Sequence, residues 1–251
     1  GTVWGLAYSK SASRLFASAF LKRQHGLGPG NGSPATQPYV GTIYLVNPAG
    51  SSASFYCDLD ALGFPTHAAS GALNVRTNAV RALGPNLNSV FQDPTTFDQV
   101  GKVGIGDIDI SDDGGYLFVM NLFDRRLYRI DLQNANSPVT PTAAQVTSWA
   151  VPNPNPGGAN PAGEHRPFAI KVYRGKVYVG MVTSGQNAAG TPAANNASMN
   201  AYVYEFDPTA SGGTGAFNGT ALLTVPLNYT KGIATFSTGC EFPAFADWHP
   251  W

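Results

Sequence analysis

Short runs of alternating apolar and polar residues recur along the chain, separated by turn-forming residues. Period-two alternation is the signature of half-buried β-strands. The first run is Trp4–Tyr8, a polar turn at Ser9–Ser13, then Arg14–Phe20 and, after a Gly-rich loop, Gly41–Asn47. The second is Ile105–Ile110, a turn at Ser111–Gly115, Tyr116–Met120 and Leu127–Asp131. The third is Phe168–Val172, a turn at Tyr173–Gly175, Lys176–Val182 and Ala201–Asp207. Each copy is followed by a fourth β-rich stretch: Ala53–Cys57, Gln145–Ala150 and Ala221–Val225.

Four antiparallel strands per repeat predict an all-β fold built as a β-propeller. The expected blades span about 3–57, 102–150 and 166–226, and the tail from Phe242 to Trp251 reads as the start of a fourth. Three blades do not close a ring, since propellers usually have about four to eight. The expectation is therefore a partial ring within one domain, belonging to a longer protein or closed by another chain. The first strand of each copy carries Gly or Ala, which suits a crowded inner strand. Residues 58–101 form an insertion. It reads as an irregular excursion over one rim, with one helical turn around Leu73–Leu83.

Composition narrows the class. Charged residues are 12% of the 251, against about 25% in average soluble domains, and Lys+Arg balance Asp+Glu at 15 each. This balance argues against nucleic acid or an anionic membrane as the main partner. No apolar run approaches the roughly 18 residues of a transmembrane helix. Asn-x-Ser/Thr sites at Asn31, Asn196, Asn218 and Asn228, and a surface rich in Asn, Ser, Thr and Gly, read as extracellular. Cys57 and Cys240 are either a disulfide or two buried thiols, and the sequence leaves both open.

Trp4-Gly5-Leu6-Ala7, Arg14–Arg23, Gly26–Gly30 and Arg166–Gly180 carry a resemblance to the propeller modules of large secreted bacterial cell-surface proteins. Those modules are found beside SdrD-B-like immunoglobulin-type repeats. The resemblance extends over Val3–Phe206 and implies a scaffolding or adhesive role outside the cell. It brings no catalytic residue with it.

Candidate chemistry is sparse. Asp107, Asp109, Asp112 and Asp113 offer hard oxygen ligands that suit calcium, with Asp107 and Asp109 on one strand face. The competing reading is a hairpin turn, for which Asp-Asp-Gly-Gly is well suited. No other cofactor is expected. His25, His67, His165 and His249 are scattered, and Glu164-His165-Arg166 is the best polar trio. Arg166 there reads as a loop anchor. Tyr39, Tyr44, Trp149, Tyr202 and Trp248 are either a carbohydrate-stacking surface or blade core.

Three functions follow. The first is a non-enzymatic extracellular bacterial surface protein that scaffolds, adheres or self-assembles, with other protein chains or further domains as partners. The second is a metal-dependent propeller hydrolase or lyase. The third is a glycan-binding module. Convergence of three or more His, Asp and Glu side chains on the axis favours the enzyme, whereas an apolar axis favours the scaffold.

Overall fold

The computed structural model describes residues 2–28, 39–83, 93–154, 164–185 and 199–227, and short strands at 234–235 and 241–242. Three antiparallel sheets follow one another along the chain. The first joins β1 (Thr2–Ser9), β2 (Arg14–Phe20), β3 (Thr42–Asn47) and β4 (Ser52–Asp58) in sequence order. The second joins β5 (Ile105–Ile110), β6 (Tyr116–Asn121), β7 (Arg126–Asp131) and β8 (Val146–Ala150). The third joins β9 (His165–Tyr173), β10 (Lys176–Thr183) and β11 (Asn200–Asp207), whose outer edge pairs with both β12 (Ala216–Phe217) and β13 (Leu223–Pro226). A further antiparallel pair, β14 (Ala234–Thr235) and β15 (Glu241–Phe242), lies beyond. The fourth strand of the third sheet is thus split in two, and a turn with left-handed Ser211 and Gly212 leads from β11 into its first part.

The sheets pack face to face through two cores, and the alternation of the second sheet explains both. Leu117, Val119, Tyr128 and Ile130 point towards the first sheet and meet Phe16, Ile43, Tyr56 and Cys57. Phe118, Met120 and Leu127 point the other way and meet Val177, Val179, Met181, Tyr204 and Phe206. A strand buried on both faces reads as a continuous apolar run, and Tyr116–Met120 does. Burying one such side chain stabilises the fold by roughly 1.5–3 kcal/mol. Trp149 and Tyr202 pack against the second core and Tyr39 is buried, so these three belong to packing. Tyr44 is half-buried, and Trp248 lies outside the described residues.

The innermost strands β1, β5 and β9 lie against one another. Two glycines make this approach possible. A Cβ on Gly5 would stand 2.8 Å from Ile108 N and 2.9 Å from Gly106 O. One on Gly106 would stand 2.8 Å from Phe168 O. Both glycines sit at register shifts in their strands, where a bulge turns the backbone towards its neighbour. The crowded inner strand expected from the sequence is present at these two positions.

The insertion caps the end of the first two sheets. Gly104 N donates to Thr66 O and Asn121 Nδ2 donates to Pro65 O. Its anchor is a buried pair: Arg81 Nη2 donates to Asp93 Oδ2 at 2.6 Å and to the carbonyls of Lys22 and His25. Around Leu73–Leu83 the chain makes one α-type turn, Arg81 N to Thr77 O, which the left-handed Ala82 ends. The 3-10 helix of this region is elsewhere, at Pro94–Thr96, where proline presets the first helical residue.

Candidate functional site

At the C-terminal ends of β1, β5 and β9 a cleft of about 750 Å³ opens, lined by Leu6, Tyr8, Lys10, Asp109, Asp112 and Lys171 among others. Three of the four aspartates singled out in the sequence line it: Asp109, Asp112 and Asp113. Asp107 sits one strand turn deeper, half-buried.

Their oxygens face backbone donors. Asp107 accepts from Ile108 N at 3.0 Å and from Ile170 N at 3.2 Å. Asp109 accepts from Ile110 N at 2.9 Å, Val172 N at 2.8 Å and Lys171 Nζ at 2.7 Å. Asp112 accepts from Gly175 N at 2.7 Å. Asp107–Ile170, Asp109–Val172 and Asp112–Gly175 all span 63 residues. The carboxylates thus form a ladder between two strands that run the same way but belong to different sheets. The strands are too far from sheet pairing to share backbone bonds, so side chains satisfy the inner N–H groups of β9 instead. Asp113 turns back into its own hairpin, accepting from Gly115 N at 2.9 Å, as the turn reading has it.

Burial pushes the Asp107 carboxyl above the usual carboxylate range, against the hydrogen bonds from Ile170 and Ile108 that lower it. Asp113 is held below that range by its bonds from Ser111 and Gly115. Among the described residues, no group of three or more His, Cys, Asp and Glu side chains is placed to hold a metal ion.

At the opposite ends of the innermost strands the filling is apolar. Trp4 and Phe168 meet edge to face at 5.2 Å, and Phe20 stands 5.8 Å from Trp4 and 5.7 Å from Phe168. These rings come from β1, β2 and β9, so they join the first sheet to the third. No sequence motif marks the trio, because Phe168 lies in a different repeat from Trp4 and Phe20.

Beside it lies a polar knot. Glu164 takes Arg166 and, at 3.4 Å, Arg125. Arg166 is nearly buried, with its Nε lacking a partner among the described residues. Burial lowers Lys102, and the nearby Arg166 adds to that against Asp98 and Glu164. Burial, reinforced by Arg125 and Arg166, lowers His165 from 6.5 to about 4, so its ring is neutral at neutral pH. The trio Glu164-His165-Arg166 is therefore a bracing element, with Arg166 as the expected anchor, and Arg125 and Lys102 are members the sequence did not mark.

The remaining histidines do not join it in a common site. His25 is exposed, with Nδ1 3.1 Å from Arg23 O. His67 stands 3.9 Å from Asp60. His249 lies outside the described residues. Cys57 is buried, and burial, with a contribution from Asp58, raises its thiol pKa. Pairing with Cys240 falls outside the described residues.

Strand order running outwards from an inner strand, with sheets packed face to face around shared inner strands, defines a propeller-like all-β protein. No family model matches the chain. Colossin-A of Dictyostelium discoideum is 27% identical over 257 aligned residues, covering 100% of this chain and 2% of that protein. The chain thus spans a small fraction of this relative's length. Among solved structures, a luciferin-regenerating enzyme aligns with a TM-score of 0.38 at 11% identity, over 92% of this chain and 48% of that one. Streptogramin B lyase gives 0.31 at 9% identity, over 92% of this chain and 58% of its own. A chain of a mitotic checkpoint complex gives 0.31 at 9% identity, over 93% of this chain and 54% of its own. At these scores the likeness carries nothing about this chain, whose fold rests on its own strand order and packing. No helix among the described residues is long and apolar enough to cross a membrane.

Proposed function

We propose that the chain is a non-catalytic assembly module of an extracellular surface protein, a partial propeller of three blades with β14–β15 beginning a fourth. The observation that carries this reading is the aromatic trio Trp4, Phe20 and Phe168 between the inner strands. The rings come from β1, β2 and β9 and join the first sheet to the third by apolar contact. The aspartate ladder supports it, because Asp107, Asp109 and Asp112 each give one carboxylate oxygen to a backbone N–H of the third sheet.

The contact surface is the open face of β1. Leu6 and Tyr8 are 54% and 53% exposed, side by side on one strand face at period two. In the second sheet the corresponding packing faces are covered on both sides. The face fits another copy of this chain, and exposed apolar faces of this kind mark interaction sites. Extracellular placement rests on the low charge and on the resemblance to secreted surface modules. Biotinylation of intact source cells with an impermeant reagent tests it. Labelling without lysis is the expected result; labelling only after lysis overturns it.

A further inference from the structure

A second cavity, of about 460 Å³, lies between the second and third sheets and shares Ser111, Asp112, Asp113 and Val172 with the cleft beside β1. Phe118 and Val177 lie buried beneath it, and Tyr116, Val172 and Pro208 give it an apolar lining. Arg129 stands at its wall with an uncommon degree of freedom in its chemistry. Its guanidinium lies over the Tyr116 ring at 4.8 Å and over the Trp149 ring at 5.2 Å. Among the described residues it makes no hydrogen bond and no ion pair. Two aromatic faces therefore fix the guanidinium plane while leaving its five N–H donors unspent on protein. A fork held rigid in advance loses little entropy when it takes a carboxylate.

The cavity also carries negative charge. Asp112 and Asp113 line it. Asp112 uses Oδ2 for Gly175 N, and Oδ1 accepts nothing among the described residues. A ligand with a carboxylate alone meets Arg129 favourably and the two aspartates unfavourably. A ligand with an ammonium alone meets the reverse. A zwitterion with an apolar body satisfies both charges and the floor together.

We propose that this inter-sheet cavity binds an apolar α-amino acid, free or as a short peptide, with its carboxylate on Arg129, its ammonium on Asp112 and its side chain on Tyr116, Val172 and Pro208. The volume lies within the range of small-molecule pockets, about 300–1,000 Å³.

Calorimetric titration of the protein with L-phenylalanine and with leucyl-phenylalanine tests the proposal. Phenethylamine, lacking the carboxylate, and 3-phenylpropionate, lacking the ammonium, serve as analogues. At least one zwitterion is expected to bind, and each analogue to bind more weakly than L-phenylalanine by about tenfold or more. Arg129→Gln removes the preference for L-phenylalanine over phenethylamine. Asp112→Asn removes its preference over 3-phenylpropionate while keeping an acceptor for Gly175 N, and at this exposed position it leaves folding intact. Circular dichroism confirms that both variants are folded. Failure of both zwitterions to bind at millimolar concentration overturns the proposal. So does binding that neither variant alters.

Discussion

Asp109 accepts the backbone N–H of Val172 at 2.8 Å across a boundary between two sheets that share no strand pairing. The same carboxylate holds Ile110 N and Lys171 Nζ, so one side chain fixes its own strand and its neighbour. Asp109→Ala leaves the buried Val172 N–H without an acceptor. The expected cost is about 1–3 kcal/mol, read as a lower urea midpoint. Lys171→Met is the comparison. Its side chain is 73% exposed, so the ion pair is a surface one, worth about 0–1 kcal/mol. Equal losses in the two variants would mean that the ion pair, not the backbone bond, is what matters.

The contact between β1 and β5 works differently. Ala7 stands opposite Phe16 as Asp109 stands opposite Phe118, and it brings no carboxylate. Here Gly5 and Gly106 allow direct backbone approach. Gly5→Ala sets a methyl 2.8 Å from Ile108 N and 2.9 Å from Gly106 O, at an expected cost of about 1–3 kcal/mol. Gly219→Ala, with nothing within 4 Å, is expected to stay within about 0.5 kcal/mol. Thermal melts of the two variants side by side read the difference.

Arg81 and Asp93 tie the insertion to the loop after β2. Both side chains are fully buried, so Arg81→Met strands a carboxylate in the interior. A loss of about 3–5 kcal/mol is expected, or local detachment of the insertion, with faster amide exchange at Gln24 and Thr96. Burial alone would raise Asp93, but hydrogen bonds from Arg81, Gln24 N and Thr96 outweigh it and hold the carboxyl low. Its folded pKa lies below the unfolded value. Its contribution is thus present above the ordinary carboxylate pKa and lost as pH falls through the folded one. Unchanged exchange at Gln24 in the variant contradicts this anchoring role.

His165 sets a second, higher acid window. Its pKa falls from 6.5 unfolded to about 4 folded, so the unfolded chain binds more protons between these values. Stability therefore rises with pH across that interval, is fully present above about 6.5 and is lost as pH falls to about 4. Urea midpoints at several pH values check the slope. His165→Gln is expected to flatten it, and a slope that survives the substitution assigns it to another group.

The strands were legible because each has its own local pattern: Tyr116–Met120 is apolar throughout and lies buried on both faces, and Lys176–Thr183 alternates and is buried alternately. Glycine in the inner strands was legible for the same reason. The site was legible only as a set of residue types. Asp107, Asp109 and Asp112 read as calcium ligands or, more readily, as a turn, because their partners lie 63 residues away in another repeat. The trio Trp4, Phe20 and Phe168 gave no signal at all, since contact between repeats depends on how sheets stack, not on spacing along the chain. Arg129 was silent too: its stacking on Trp149 crosses two strands.

The assembly reading rests on the open face of β1, and sedimentation equilibrium of the 26.3 kDa chain tests it most directly. A mass above one chain, returning to one chain in the double variant Leu6→Ser, Tyr8→Ser, is the predicted result. One chain at every concentration, with no change in the variant, contradicts the account.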